Sequence, residues 1–272
     1  MSQRANRTAS RILPWVAVLL LLGPPPTRPL RAQERSTAAP TSGRWILDFE
    51  RDGSIQLTLK RRADAGGHGN WSSSSDYETR DFRGLQRPSG SSEAPARFQM
   101  VRDAGTISFE GQLSESGGAG RFSFTASPEY VAALSQMGYR APDADDLFSL
   151  AVHDVSRAFL QELEKLGYKR VPLDDLVSMR IHGATPEFIR ELKALGYDRL
   201  SVDDLVSMRI HGATPEFIRE LKALGYDRLP ADDLVSMRIH EVTPEFIRAM
   251  RSVGYERLSA DDLVSMRIHG QD

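Results

Sequence analysis

Residues 185–213 read TPEFIRELKALGYDRLSVDDLVSMRIHGA, and residues 214–242 repeat them with changes at only four positions. A near-identical 29-residue unit in tandem predicts stacked supersecondary units, because one unit is too small to bury its own apolar face. A glycine followed by tyrosine marks the register at Gly138, Gly167, Gly196, Gly225 and Gly254, always 29 residues apart. Five copies therefore run over residues 127–272.

Within the unit, Thr185 suits a helix cap, Pro186 fits the first helical position, and Glu187 complements the positive end of the helix dipole. Phe188, Ile189, Leu192 and Leu195 gather on one stripe. Gly196 stands where a left-handed residue ends a helix, and Tyr197 completes the stop signal by packing back on Leu192. A second helix follows, with Ser201 and Asp204 at capping-box spacing and Leu200 and Leu205 as the staple around them. Its inner face is expected to be Val202, Leu205, Val206 and Ile210, with Met208 at the border. Arg209 and His211 fall in the last turn, where positive charge is favoured, and Gly212 closes the helix. Each repeat thus reads as two short helices.

Asp203, Ser207 and His211 lie at i, i+4 and i+8 of the second helix, and the trio recurs in all five copies. It mimics a hydrolase triad, but the amides around a mid-helix serine are already committed to helical bonds, which leaves no donors for an oxyanion. Capping and the helix dipole account for the aspartate and the histidine, and Ser207 is left over. Histidines of adjacent copies are separated by roughly 10 Å, the packing distance of helices, whereas ligands of one ion lie about 2 Å from it. His240 and Glu241 begin like H-E-x-x-H, yet Pro244 holds the place of the second histidine. Neither catalysis nor a metal or other cofactor is expected. Ser207, Arg209 and His211 are read as partner-binding residues on the polar side of the array.

Edge copies deviate, as in other arrays. The first has Ala151 where the others carry arginine, and the second opens with Ser156-Arg157-Ala158 in place of Thr-Pro-Glu. The fifth keeps the interior sequence, including Leu263, Val264, Met266 and Ile268. Its outer face is therefore expected to be covered by the β domain, by a second copy or by a partner, with Val264 and Ile268 as contact residues.

Upstream, over residues 43–126, the period changes from helical to alternating. Trp45, Leu47 and Phe49 alternate with polar neighbours, Asp52-Gly53 makes a turn, and Ile55, Leu57 and Leu59 resume the pattern. Phe98 and Met100 lead through Asp103-Ala104-Gly105 to Ile107 and Phe109, and Phe122 and Phe124 mark another strand. With a strand at residues 71–77 or 81–85, six or seven antiparallel strands result, while residues 65–70 and 88–95 read as loops. The whole is expected to be α+β: an antiparallel β sandwich or partly closed barrel followed by the helical repeat array. Trp71 and Tyr77, on either side of a serine run, are candidate ligand-binding residues for a sugar or polar molecule, and the alternative is a strand edge beside a solvated loop. His68 lies between glycines without a second histidine nearby, which does not suit a metal.

Arg4, Arg7 and Arg11 precede an apolar run over residues 12–22, too short to span a bilayer, which takes roughly 20 apolar residues. Residues 1–32 read as a signal peptide cleaved after Ala32, or else as a retained N-terminal anchor, and residues 33–42 as a linker. They hold five arginines and no acid, so cleavage takes the formal charge from −2 to −7. An acidic mature chain does not suit a nucleic-acid backbone. The absence of cysteine excludes disulfides, thiolate metal sites and thiol catalysis.

The phrases DDLVSMRIHG and TPEFIRELKALGY resemble the helical repeats attached to bacterial membrane metallopeptidases of the beta-lactam-sensor/antirepressor family. The likeness covers residues 127–272, about half the chain, and no peptidase motif accompanies it. It implies an accessory extracytoplasmic module. The expected function is an exported, periplasmic or secreted, non-enzymatic binding or sensing protein whose repeats contact an unidentified envelope protein or a second copy. A small-molecule or glycan carrier using the β domain is the alternative, and a hydrolase the distant third.

Overall fold

Alternation of apolar and polar residues builds one six-stranded antiparallel sheet. Its strands are β1 (Ser42–Phe49), β2 (Ile55–Arg61), β3 (Trp71–Tyr77), β4 (Ala94–Arg102), β5 (Gly105–Leu113) and β6 (Gly117–Ala126), in the order β3-β2-β1-β6-β5-β4. The structure, a computed structural model, describes residues 41–61, 71–90 and 92–270. The expected signal peptide, most of the expected linker, His68 and the expected loop at residues 65–70 lie outside the described residues.

Trp45 lies on β1, opposite Leu59 of β2 and Gly120 of β6, and organises the inner face of the sheet. A Cβ at Gly120 or Gly111 would come within 2.7 Å of its ring, so these glycines clear the floor on which the indole lies. The indole Nε1 donates to the carbonyls of Glu110 and Arg121, at 3.2 and 3.1 Å. Trp45 also meets Phe98 of β4 edge-on at 5.3 Å between centroids, although β6 and β5 intervene. Three strand spacings in a flat sheet would be about 14 Å, so the sheet is strongly curled.

The strands form one sheet rather than a sandwich of two, and that sheet is not closed into a barrel. β3 and β4 are the two free edges, and instead of pairing they are bridged by Phe82, whose ring lies 5.7 Å from both Tyr77 and Phe98. Residues 81–85 are not a seventh strand; a short 3-10 turn at Thr79–Asp81 is followed by a single bridge from Arg83 to Gln99. Nor do residues 88–95 stay a loop throughout, since β4 begins at Ala94.

Ten helices follow. The odd ones are α1 (Pro128–Gln136), α3 (Arg157–Lys165), α5 (Pro186–Ala194), α7 (Pro215–Ala223) and α9 (Pro244–Ser252). The even ones are α2 (Ala144–Val152), α4 (Leu173–His182), α6 (Val202–His211), α8 (Ala231–Ile239) and α10 (Ala260–His269). Local chemistry sets their ends. Thr185 Oγ1 accepts from the Phe188 amide, and Ser201 with Asp204 makes the reciprocal capping box. At Gly196, φ is +95°, and the Tyr197 amide donates to the Leu192 carbonyl at 3.0 Å, closing the Schellman turn.

Even helices pack side by side in the series α2, α4, α6, α8, α10, and the odd helices α3, α5, α7, α9 form a second row. Tyrosine hydroxyls tie α3, α5 and α7 forward: Tyr168 donates to the Leu200 carbonyl at 2.9 Å, Tyr197 to Leu229 at 2.9 Å, and Tyr226 to Leu258 at 2.8 Å. At the sheet, α2 packs on β5 and β6, with Phe148 stacked on Phe122 at 5.3 Å. One apolar core therefore runs from Trp45 through Phe148 to Leu263.

Candidate functional site

Each even helix has two faces with opposite fates. In α6, Leu205 and Met208 are fully buried, which places Met208 in the core rather than at its border. Ile210, expected on the inner face, is 52% exposed. The reason is helical geometry: Leu205 and Met208 are i and i+3, and a face at 100° per residue that holds both turns Asp203, Val206, Ser207 and Ile210 outward. Asp203 is exposed, and Val206 and Ser207 are half-buried.

Side-by-side packing turns this outward face into a surface of several helices. Ile181 of α4, Ile239 of α8 and Ile268 of α10 are likewise exposed, at 55%, 52% and 49%. Val177, Val206, Val235 and Val264 form a half-buried row beside them, and the exposed Asp174, Asp203, Asp232 and Asp261 form an acidic row at the other end of the helices. The Asp233 carboxyl sits above the usual carboxylate range, first through partial desolvation and then through the charges of Asp232 and Asp261. Negative charge thus accumulates along that edge.

The residues read from the sequence as partner-binding divide between joint and surface. Arg209 belongs to a joint: its Nε donates to the His182 carbonyl at 3.2 Å and its guanidinium lies 5.1 Å from the Phe188 ring centre. Arg180, Arg238 and Arg267 lie over Phe159, Phe217 and Phe246 in the same way, at 5.4, 5.1 and 5.0 Å. These arginines clamp one unit to the one before it. His211 is exposed at the rim, and Ser207 is half-buried in the middle of the outward face. Val264 is half-buried and Ile268 exposed, both on the outward face of α10. Among the described residues, no group of three or more His, Asp or Glu is placed to hold a metal ion. Burial, and then the Arg180 charge, depresses the His153 pKa.

Trp71 and Tyr77 lie on one face of β3 but at its two ends, and each reaches α2 separately. The Trp71 ring meets Phe148 edge-on at 5.2 Å, and the Tyr77 hydroxyl donates to the Val152 carbonyl at 3.3 Å. Both hold the sheet against the first even helix. Burial accordingly raises the Tyr77 hydroxyl pKa.

Sequence reading missed Ile181, Ile210 and Ile239 as surface residues. The one available signal was the i, i+3, i+4, i+7 spacing of Asp203, Val206, Ser207 and Ile210, which groups them on a single side. No family model, no curated protein and no solved structure matches the chain.

Proposed function

We propose that this chain is an exported, non-enzymatic binding protein of the bacterial envelope, in which five two-helix units of 29 residues form an array that contacts another protein. The observation that carries this reading is the row of isoleucines, Ile181, Ile210, Ile239 and Ile268, each about half exposed on adjacent helices. A contiguous apolar strip on a water-facing surface is costly, and strips of this kind mark interaction sites. Stacked repeats provide an extended surface of the shape such contacts use. The sheet then serves as the anchor of the array. Export rests on the arginine-rich start and short apolar run of residues 1–32. An accessory extracytoplasmic role accords with the resemblance of the repeats to those attached to membrane metallopeptidases.

The test is retention of a partner from an envelope fraction by the chain from residue 33 onward, followed by calorimetric titration of the purified partner. Stoichiometric binding by one protein is expected. Recovery of a small molecule alone, or a hydrolytic turnover abolished by Ser207→Ala, would replace this reading with the carrier or the hydrolase.

A further inference from the structure

The first unit shows what its own outward face accepts. In α2 the positions equivalent to Asp203, Val206, Ser207 and Ile210 are Asp145, Phe148, Ser149 and Val152. Here the face is covered, because the sheet lies on it: Phe148 and Val152 are 1% and 3% exposed. The covering surface combines one cation with aromatic rings. Arg61 pairs with Asp145 at 2.7 Å and lies 5.4 Å from the centre of the Phe148 ring. Phe122 stacks on Phe148 at 5.3 Å, while Trp71 and Phe124 meet it edge-on at 5.2 and 5.5 Å.

In α4, α6 and α8 the same face stands open, with the same aspartate in the first turn and an aliphatic pair in place of Phe148 and Val152. Seven residues of helix place the aspartate and isoleucine rows about 10 Å apart along each axis, and neighbouring helices repeat the pair every 10 Å or so. The arginines at the isoleucine end of these helices turn back to the preceding unit, Arg209 onto the His182 carbonyl and the Phe188 ring and Arg238 onto the Phe217 ring. Four helices give a strip roughly 30 Å long, the span of about nine extended residues.

We propose that the outward face of α4, α6, α8 and α10 docks a segment of a partner protein in which arginines alternate with aromatic side chains, the arginines meeting the aspartate row and the rings covering valine and isoleucine. This deepens the binding function proposed above and rests on it. Charge complementarity selects a basic segment over an acidic one, and the apolar rows select aromatic over purely polar side chains.

The probe is a fluorescent synthetic peptide of roughly nine residues alternating arginine and tryptophan, titrated into the full chain by anisotropy. Two further peptides replace either every arginine by glutamate or every tryptophan by serine. The arginine–tryptophan peptide is expected to bind at least about tenfold more tightly than either, a difference of roughly 1.4 kcal/mol. Ile210→Ser with Ile239→Ser, and separately Asp203→Asn with Asp232→Asn, should each weaken it by about tenfold or more. Ile46→Ser, at an exposed isoleucine on the sheet, should leave it unchanged. All these positions are solvent-facing, and melting temperatures close to wild type verify the fold. Equal binding of the glutamate peptide, or indifference to both double variants, overturns the proposal. So does a wild-type dimer that the isoleucine pair converts to monomer, since the occupant would then be a second copy. If the envelope partner binds wild type and both double variants alike, the binding function stands and this face is the wrong one.

Discussion

Glu241 occupies a place where the equivalent residues of the second and third units are glycine. Its φ is +54°, beside +71° at Gly183 and +72° at Gly212. The left-handed conformation costs an L-residue about 1–2 kcal/mol, and the unfolded-state freedom of glycine returns about 0.5–1 of that. The Glu241 carboxylate pairs with Arg267 at 3.0 Å but is 77% exposed, so the pair adds little. Glu241→Gly should therefore stabilise the chain by about 0.5–1 kcal/mol, read from the denaturant midpoint. The same change at Asp154, with φ +52°, should give no such gain. Its carboxylate is engaged by Arg180 at 3.0 Å and Arg102 at 3.7 Å.

At the scale of elements, stability resides in bonds that step from one helix pair to the next. The Tyr197 hydroxyl donates to the carbonyl of Leu229, a half-buried residue of the following unit. Tyr197→Phe keeps the ring and removes that bond, so a loss of about 0.5–1.5 kcal/mol is expected in thermal melts. Tyr255→Phe is the matched control. Tyr255 is 50% exposed, has no unit beyond it among the described residues, and its change should cost close to nothing. Helix ends were legible in the sequence because caps are local chemistry: Thr185, Ser201, Gly196 and Gly212 each act through their own backbone neighbours. The facing of the even helices was not. Val202, Leu205, Val206, Met208 and Ile210 surround α6 with apolar side chains, so periodicity cannot choose between Met208 and Ile210, and packing against α4 and α8 decides. Sheet closure was hidden for a similar reason. Alternation identifies which residues share the inner face, but the cover comes from Phe82 in a connection and Phe148 in the array, both distant in the chain.

For the whole molecule, support is graded. α2 is held by the sheet, α4, α6 and α8 by an even helix on each side, and α10 by one even helix, α8, among the described residues. Val253 and Tyr255 in the last pair are 67% and 50% exposed. In arrays with nearest-neighbour coupling, opening begins at the less supported end. Amide hydrogen exchange should therefore be slowest in α4 and α6 and fastest in α9 and α10. Uniform protection from α2 to α10 would instead mean that the array opens as one block.

The joints themselves are interchangeable. Tyr168 to Leu200, Tyr197 to Leu229 and Tyr226 to Leu258 are one bond made three times, and arginine over phenylalanine recurs from Arg180 to Arg267. An in-frame duplication of residues 185–213 inserts a segment whose two sides already match its new neighbours. Genetic recombination can thus lengthen or shorten this chain in whole steps, with no new interface to evolve.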